Sequence, residues 1–216
     1  MSTLMERLRY RGPEVDHNGV VVSGFTIGGP DESFGAWLAN LEYERQGRGC
    51  EPGKYARLIV DGELWMSDTT SERRDHREPV AMGDMLGGRA LINGLGLGCV
   101  VGAMLDTVDH VDVVERDGRV INSIGAWYRS EYGDRVTIHH GDALTIPWPR
   151  GSRWNVVWHD IWPTIASDNL AEMETLHRRY GNRARWQGSW CQRECRWMRR
   201  KEAEWAANPE RAWLDA

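Results

Sequence analysis

Residues 90–101 constrain this chain more than any other stretch. Ala90-Leu-Ile-Asn-Gly94-Leu-Gly96-Leu-Gly98-Cys-Val-Val101 is an apolar run, three glycines at alternate positions, then a second apolar run. Glycine serves where a chain turns tightly or where backbone must approach a ligand closely. The pattern predicts a buried strand, a tight turn and a helix. The N-terminal amides of that helix would turn their partial positive charge toward whatever sits on the turn. The spacing is GxGxG. It departs from the GxGxxG dinucleotide fingerprint and lacks the Gly-Lys-Ser/Thr of a phosphate loop.

Around this run, strands and helices alternate. Strands are predicted at 89–93, 110–115, 135–139 and 154–159. Helices are predicted at 98–105 and 120–132, and from a Ser167 cap to about Tyr180. Such alternation means βαβ units and a parallel sheet, so the fold class is α/β, Rossmann-like, with helices flanking a mainly parallel sheet. A small β-rich element precedes it. There, residues 1–18 read as a polar terminus, loose or adapted to the body, 19–27 as a strand and 31–46 as a helix. Residues 55–66 read as a hairpin around Asp61-Gly62, a turn pair that tolerates positive φ at both positions. The polar stretch Ser67–His76 and a helix across 79–86 complete the element. The predicted division is 1–87 for the β-rich element and 88–180 for the Rossmann-like domain. Residues 181–216 are predicted as a basic, Trp-rich helical tail packed on that domain.

Three carboxylates fall at the carboxyl ends of successive predicted strands. Glu115 lies 21 residues after Gly94, where an acid can accept hydrogen bonds from both hydroxyls of a ribose. Asp142, in Gly141-Asp142-Ala143, suits an adenine amino group. Asp160 follows the apolar run Trp154–His159. Burial between Trp158 and Trp162 would raise its pKa and suit it to accept a proton. Open α/β sheets bind ligands at this edge.

The combination resembles class I S-adenosylmethionine-dependent methyltransferases, and within them the spermidine-synthase-like branch, over about residues 55–180. Gly94, Gly96 and Gly98 match the family's glycine loop, Glu115 its ribose-binding acid and Asp142 its adenine-binding acid. Asp160 matches the acid after the fourth strand, which in aminopropyltransferases takes part in amine activation. The hairpin resembles the small β-element in front of the spermidine synthase domain. Asp68, and the pair Asp75-His76, lie where that connection folds over the cofactor, so the resemblance implies a cofactor or substrate role for Asp68. Pro163 stands where aminopropyltransferases carry a second Asp. The usual three further strands are not visible after Asp160, so the sheet is either shortened or completed by the strand at 19–27 or by a second subunit, which would make a homodimer. The implied activity is methyl transfer from S-adenosylmethionine, with Asp160 catalytic. The alternatives are aminopropyl transfer, or a non-catalytic cofactor-binding module that contacts nucleic acid.

Other groups read more plainly. His159 is expected to be structural, and His139 and His140 incidental. Cys191 and Cys195 form an apolar stripe with Met198 rather than a metal site, and no metal is expected. Nine Arg or Lys face one acid, Glu194, between His177 and Lys201. Trp186, Trp190 and Trp197 are interleaved among them: such Arg could neutralise phosphates while Trp faces stack on bases, but the favoured expectation is an amphipathic helix that packs its Trp face on the body with its Arg solvated or paired to the acidic remainder. The net charge of −5 argues against a generally basic nucleic-acid binder. The acceptor is thus a small molecule or a nucleic acid, unresolved. No window is long and apolar enough to span a membrane, and no apolar run follows the first charges. Four scattered cysteines do not make a disulfide scaffold. A cytoplasmic protein with reduced thiols is expected.

Overall fold

The structure is a computed structural model that describes residues 2–28 and 48–207. The helix expected at 31–46 lies outside the described residues. The chain begins with α1 (Leu4–Arg7) and an antiparallel sheet of β1 (Val15–His17), β2 (Val20–Ile27), β3 (Gly53–Val60) and β4 (Glu63–Ser67), in that spatial order. The β3–β4 turn places Asp61 at φ 53° and Gly62 at φ 85°, as the Asp-Gly pair predicts. Val20, Val22, Leu58 and Val60 are buried and share one core with Leu97, Met104 and Tyr128 of the main domain.

Of the two readings of the first residues, loose or adapted, the structure shows the second. Leu8 is fully buried. Arg7 makes a two-pronged pair with Asp84 at 2.8 Å, and Arg11 reaches Asp106 at 2.6 Å. The apolar residues of this polar run, among them Leu4, Met5 and Leu8, show no sustained periodicity, so these cross-chain pairs leave no local signal.

Two helices, α2 (Thr70–Asp75) and α3 (Arg77–Leu86), lead into the main sheet. The sheet strands are β5 (Arg89–Asn93), β6 (His110–Glu115), β7 (Val136–His140), β8 (Trp154–His159) and β9 (Ala184–Ser189). All pair in parallel, in the order β7-β6-β5-β8-β9. The central strands read as near-continuous apolar runs because helices cover both faces. Helix α4 (Cys99–Leu105) follows β5. After β6 comes α5 (Gly118–Val120), a π-helical turn (Ile121–Gly125) and α6 (Ala126–Tyr132). Helix α7 (Asn169–Tyr180) follows β8, and α8 (Gln192–Ala207) follows β9.

Two expectations about the C-terminal part are corrected. The segment after Tyr180 is not wholly helical, because Ala184–Ser189 forms a fifth strand beside β8; with one further strand among the described residues where three are usual, the sheet is shortened. The strand at 19–27 stays in the antiparallel sheet. Ser167 does not cap α7: Asp168 precedes the first turn, and no side chain caps it.

Inside the sheet, Asp112 is fully buried. Arg89 Nε (2.5 Å), Trp154 Nε1 (2.7 Å) and His139 Nε2 (3.0 Å) all reach its carboxylate. Burial pushes its pKa up, but these hydrogen bonds more than offset that and hold it well below the usual carboxylate range. His139 is therefore part of a buried polar network rather than incidental. His159 is structural, as expected, with Nδ1 2.7 Å from Asn93 Nδ2. Cys195 is fully buried beside Leu170 and Met173. Among the described residues, no helix is long and apolar enough to cross a membrane.

Candidate active site

The strand order reverses between β5 and β8, and this is where open α/β sheets form a ligand crevice. Three hydrogen bonds carry the ladder past the strand ends. Gly94 N donates to Val114 O (2.8 Å), Asp160 N to Asn93 O (2.8 Å) and Gly141 N to Glu115 O (2.9 Å). They set Gly94, Glu115, Gly141 and Asp160 in a row along the carboxyl edge. Above the row lies a cleft of about 650 Å³, a size that suits a cofactor-scale molecule.

Glu115 is buried at the cleft wall. Its Oε2 accepts the Leu95 amide at 2.9 Å, and its Oε1 accepts those of Arg116 and Asp117, each at 2.8 Å. Three main-chain donors thus fix the carboxylate. Oε2, with one amide, keeps acceptor capacity. Asp142 also lines the cleft, and its Oδ1 accepts the Leu144 amide at 2.7 Å in a tight turn.

Asp160 lines the cleft with 20% of its side chain exposed. Burial, then the nearby acids Glu72, Asp75 and Glu115, push its pKa up to about 8. The rise is as expected, but its electrostatic part comes from acids. The Trp158 indole instead stacks on Trp186 and meets His76 edge-on.

His76 stands with Nε2 3.7 Å from Asp160 Oδ2. It is buried, its Nδ1 has no partner among the described residues, and burial brings its pKa down to about 4. Glu72, also on the cleft, accepts from the Ser67 hydroxyl at 2.7 Å, and burial pushes its pKa up. Trp162 closes the side beyond Asp160, held by its Nε1 bond to Glu172 at 2.7 Å.

The cleft thus gathers Gly94, Gly96, Glu115, Asp142 and Asp160. Two predicted residues are not among them. Gly98 packs against Tyr128, whose hydroxyl donates to its carbonyl at 2.7 Å, so this glycine serves helix packing. Asp68 is turned away. Its carboxylate accepts the Ala56 amide at 2.6 Å and the Tyr10 amide at 3.0 Å, tying the N-terminal segment to the hairpin. The connection 67–76 borders the cleft as the resemblance implies, and of the residues it named there His76 lines the cleft while Asp68 does not. Glu72 and His76, one helical turn apart, are the ones that reach the cleft.

No family model matches the chain, and no curated protein matches it. Among solved structures, the CcbJ methyltransferase from Streptomyces caelestis is similar over 51% of this chain and 45% of its own, at 19% identity and a TM-score of 0.40. The N-methyltransferase NodS from Bradyrhizobium japonicum WM9 aligns over 52% of this chain and 62% of its own, at 13% identity and a TM-score of 0.41. A dimethyladenosine transferase from Plasmodium falciparum aligns over 39% and 30%, at 18% identity and a TM-score of 0.34. In each case the aligned part spans less than two thirds of the neighbour.

Proposed function

We propose that this protein is an S-adenosylmethionine-dependent methyltransferase. The observation that carries the reading is Glu115: a carboxylate fixed by three backbone amides at the end of the strand beside the Gly94 turn, on the wall of a cofactor-sized cleft. The residues present fit the cofactor. Glu115 Oε2 retains acceptor capacity for ribose hydroxyls. Asp142 has one oxygen engaged by Leu144 and the other left for an adenine amino group. Gly94 and Gly96 bring bare backbone to the cleft.

When bound, the cofactor supplies a methyl group already activated by its sulfonium. The chain then has to align an acceptor and handle one proton. Asp160 faces the cleft at the switch point and meets the acceptor's nitrogen or oxygen. Below about pH 8 it is a neutral acid that donates a hydrogen bond; above that it takes the acceptor's proton. His76, kept neutral by burial, backs the Asp160 carboxyl and limits its orientation. Trp162 and Trp190 wall this end and keep water away from it.

Aminopropyl transfer, the chemistry of the spermidine-synthase-like branch, is a second reading. Glu72 beside Asp160 favours it, since a second acid helps to hold an amine. Pro163, where those enzymes carry an acid, weighs against it. Calorimetric titration with S-adenosylmethionine, its decarboxylated form and NAD separates the readings. Micromolar binding of S-adenosylmethionine supports methyl transfer. Binding of the decarboxylated form alone favours aminopropyl transfer, and binding of NAD alone removes both.

A further inference from the structure

Among the described residues, helix α8 packs on the body through one side. Cys195 on that side is fully buried with Leu170, Met173 and Leu176. The opposite side carries Arg193, Arg196, Trp197 and Arg200, all exposed. Their spacing of three, four and seven puts them on a single helical face. Trp197 is 52% exposed, an unusual position for the largest apolar side chain. Among the described residues, none of the three arginines lies within ion-pair distance of a carboxylate. The pair Lys201–Glu204 at 3.0 Å closes the face at its far end.

This face is local in a chain whose net charge is −5, so its charge is not a general property of the surface. Its pattern also differs from that of a helix lying on a membrane, where aromatic side chains gather on an apolar face apart from the cations. Here the body already covers the apolar side, and an aromatic ring stands among cations on the outward side. Arginines that neutralise phosphates, with a tryptophan face that stacks on a base, make a surface for single-stranded nucleic acid. The face begins close to the cleft: Trp190, two residues before α8, lines it.

We propose that the outward face of α8, formed by Arg193, Arg196, Trp197 and Arg200, binds single-stranded nucleic acid. The surface is independent of the chemistry assigned to the cleft. The test is fluorescence anisotropy of fluorescein-labelled single-stranded RNA and DNA oligonucleotides of equal length, titrated with the full chain. Three neutralised phosphates give a log–log salt slope of about −2, so affinity should fall roughly twentyfold between about 50 and about 200 mM salt. Trp197→Ala should weaken binding about tenfold, and the double substitution Arg196→Glu, Arg200→Glu should abolish it. Unchanged circular dichroism and thermal midpoint in both variants show that the fold is kept. Absence of binding at the lower salt overturns the proposal, as does binding that neither variant changes. Trp197-dependent sedimentation with phosphatidylserine vesicles, without oligonucleotide binding, overturns it in favour of a membrane surface.

Discussion

His76 Nε2 stands 3.7 Å from Asp160 Oδ2, and burial works on the two in opposite directions. It brings the imidazole down to about 4 and, with Glu72, Asp75 and Glu115 nearby, lifts the carboxyl to about 8. At neutral pH both are uncharged, so the contact is not an ion pair. An acid whose folded pKa lies above its unfolded value lowers stability progressively as pH rises from the unfolded value to the folded one. For Asp160 that window runs from about 4 to about 8. Asparagine is neutral throughout, so Asp160→Asn should gain in thermal midpoint over the native chain as pH goes from 5 to 9. The gain should be a few degrees, at roughly 2–4 °C per kcal/mol for a chain of this size. Thermal scans at both pH values check it; a difference that does not grow with pH contradicts the assignment.

Gly94 is required by the chain's own backbone. Its φ is 98°, and a Cβ there would run into the Asp160 carbonyl. Neither side can give way, since Asp160 N is itself tied to Asn93 O. Gly94→Ala should therefore cost roughly 3 kcal/mol or more, from strain and overpacking together. Urea denaturation reads the loss directly. A variant within about 1 kcal/mol of the native chain would mean that the β5 turn and the β8 end are not held this close.

Asp68 and Glu115 make a useful contrast, since both are buried acids held by main-chain amides. Asp68 lies outside the cleft. Asp68→Ala should lower stability by roughly 2–3 kcal/mol, because the amides of Tyr10 and Ala56 lose a charged acceptor. Its affinity for S-adenosylmethionine should stay within about threefold of native, a difference of about 0.7 kcal/mol. Denaturation and calorimetry on the same preparation test both halves. A loss of affinity without a loss of stability would return Asp68 to the site.

The parts of the fold that were legible share a cause. β5, β6 and β8 are buried on both faces, so their sequences are apolar and β-branched whatever else surrounds them. Glu115 was legible because a parallel sheet brings successive strand ends to one edge. β9 was not, because Ala184-Arg-Trp-Gln-Gly-Ser189 is an edge strand, half-buried and with no clean alternation. Glu72 was not legible, and His76 only as a member of the connection beside Asp75, for a different reason. The stretch Ser67–His76 is polar in sequence yet largely buried, since its side chains satisfy one another: Ser67 with Glu72 and Thr69, Tyr55 with Thr70. Hydropathy reads such a segment as surface, and only the long-range contacts show that it is a wall of the cleft. Asp68 was misplaced for the same reason, because its partners, Tyr10 and Ala56, lie far off in sequence.

On the proposed function, Glu115 would hold the ribose of S-adenosylmethionine. The most direct measurement is calorimetric titration of that cofactor into the native chain and into Glu115→Gln, which keeps the side chain's size but whose one oxygen can serve the Arg116 and Asp117 amides only with its NH2 turned toward the Leu95 amide and the ribose. Micromolar binding to the native chain and a loss of about tenfold or more in the variant are expected, at least about 1.4 kcal/mol, with a thermal midpoint lower by a few degrees, since one buried amide loses its acceptor, and with cooperative unfolding kept. Equal affinity in the two, or no binding to the native chain, would contradict that role.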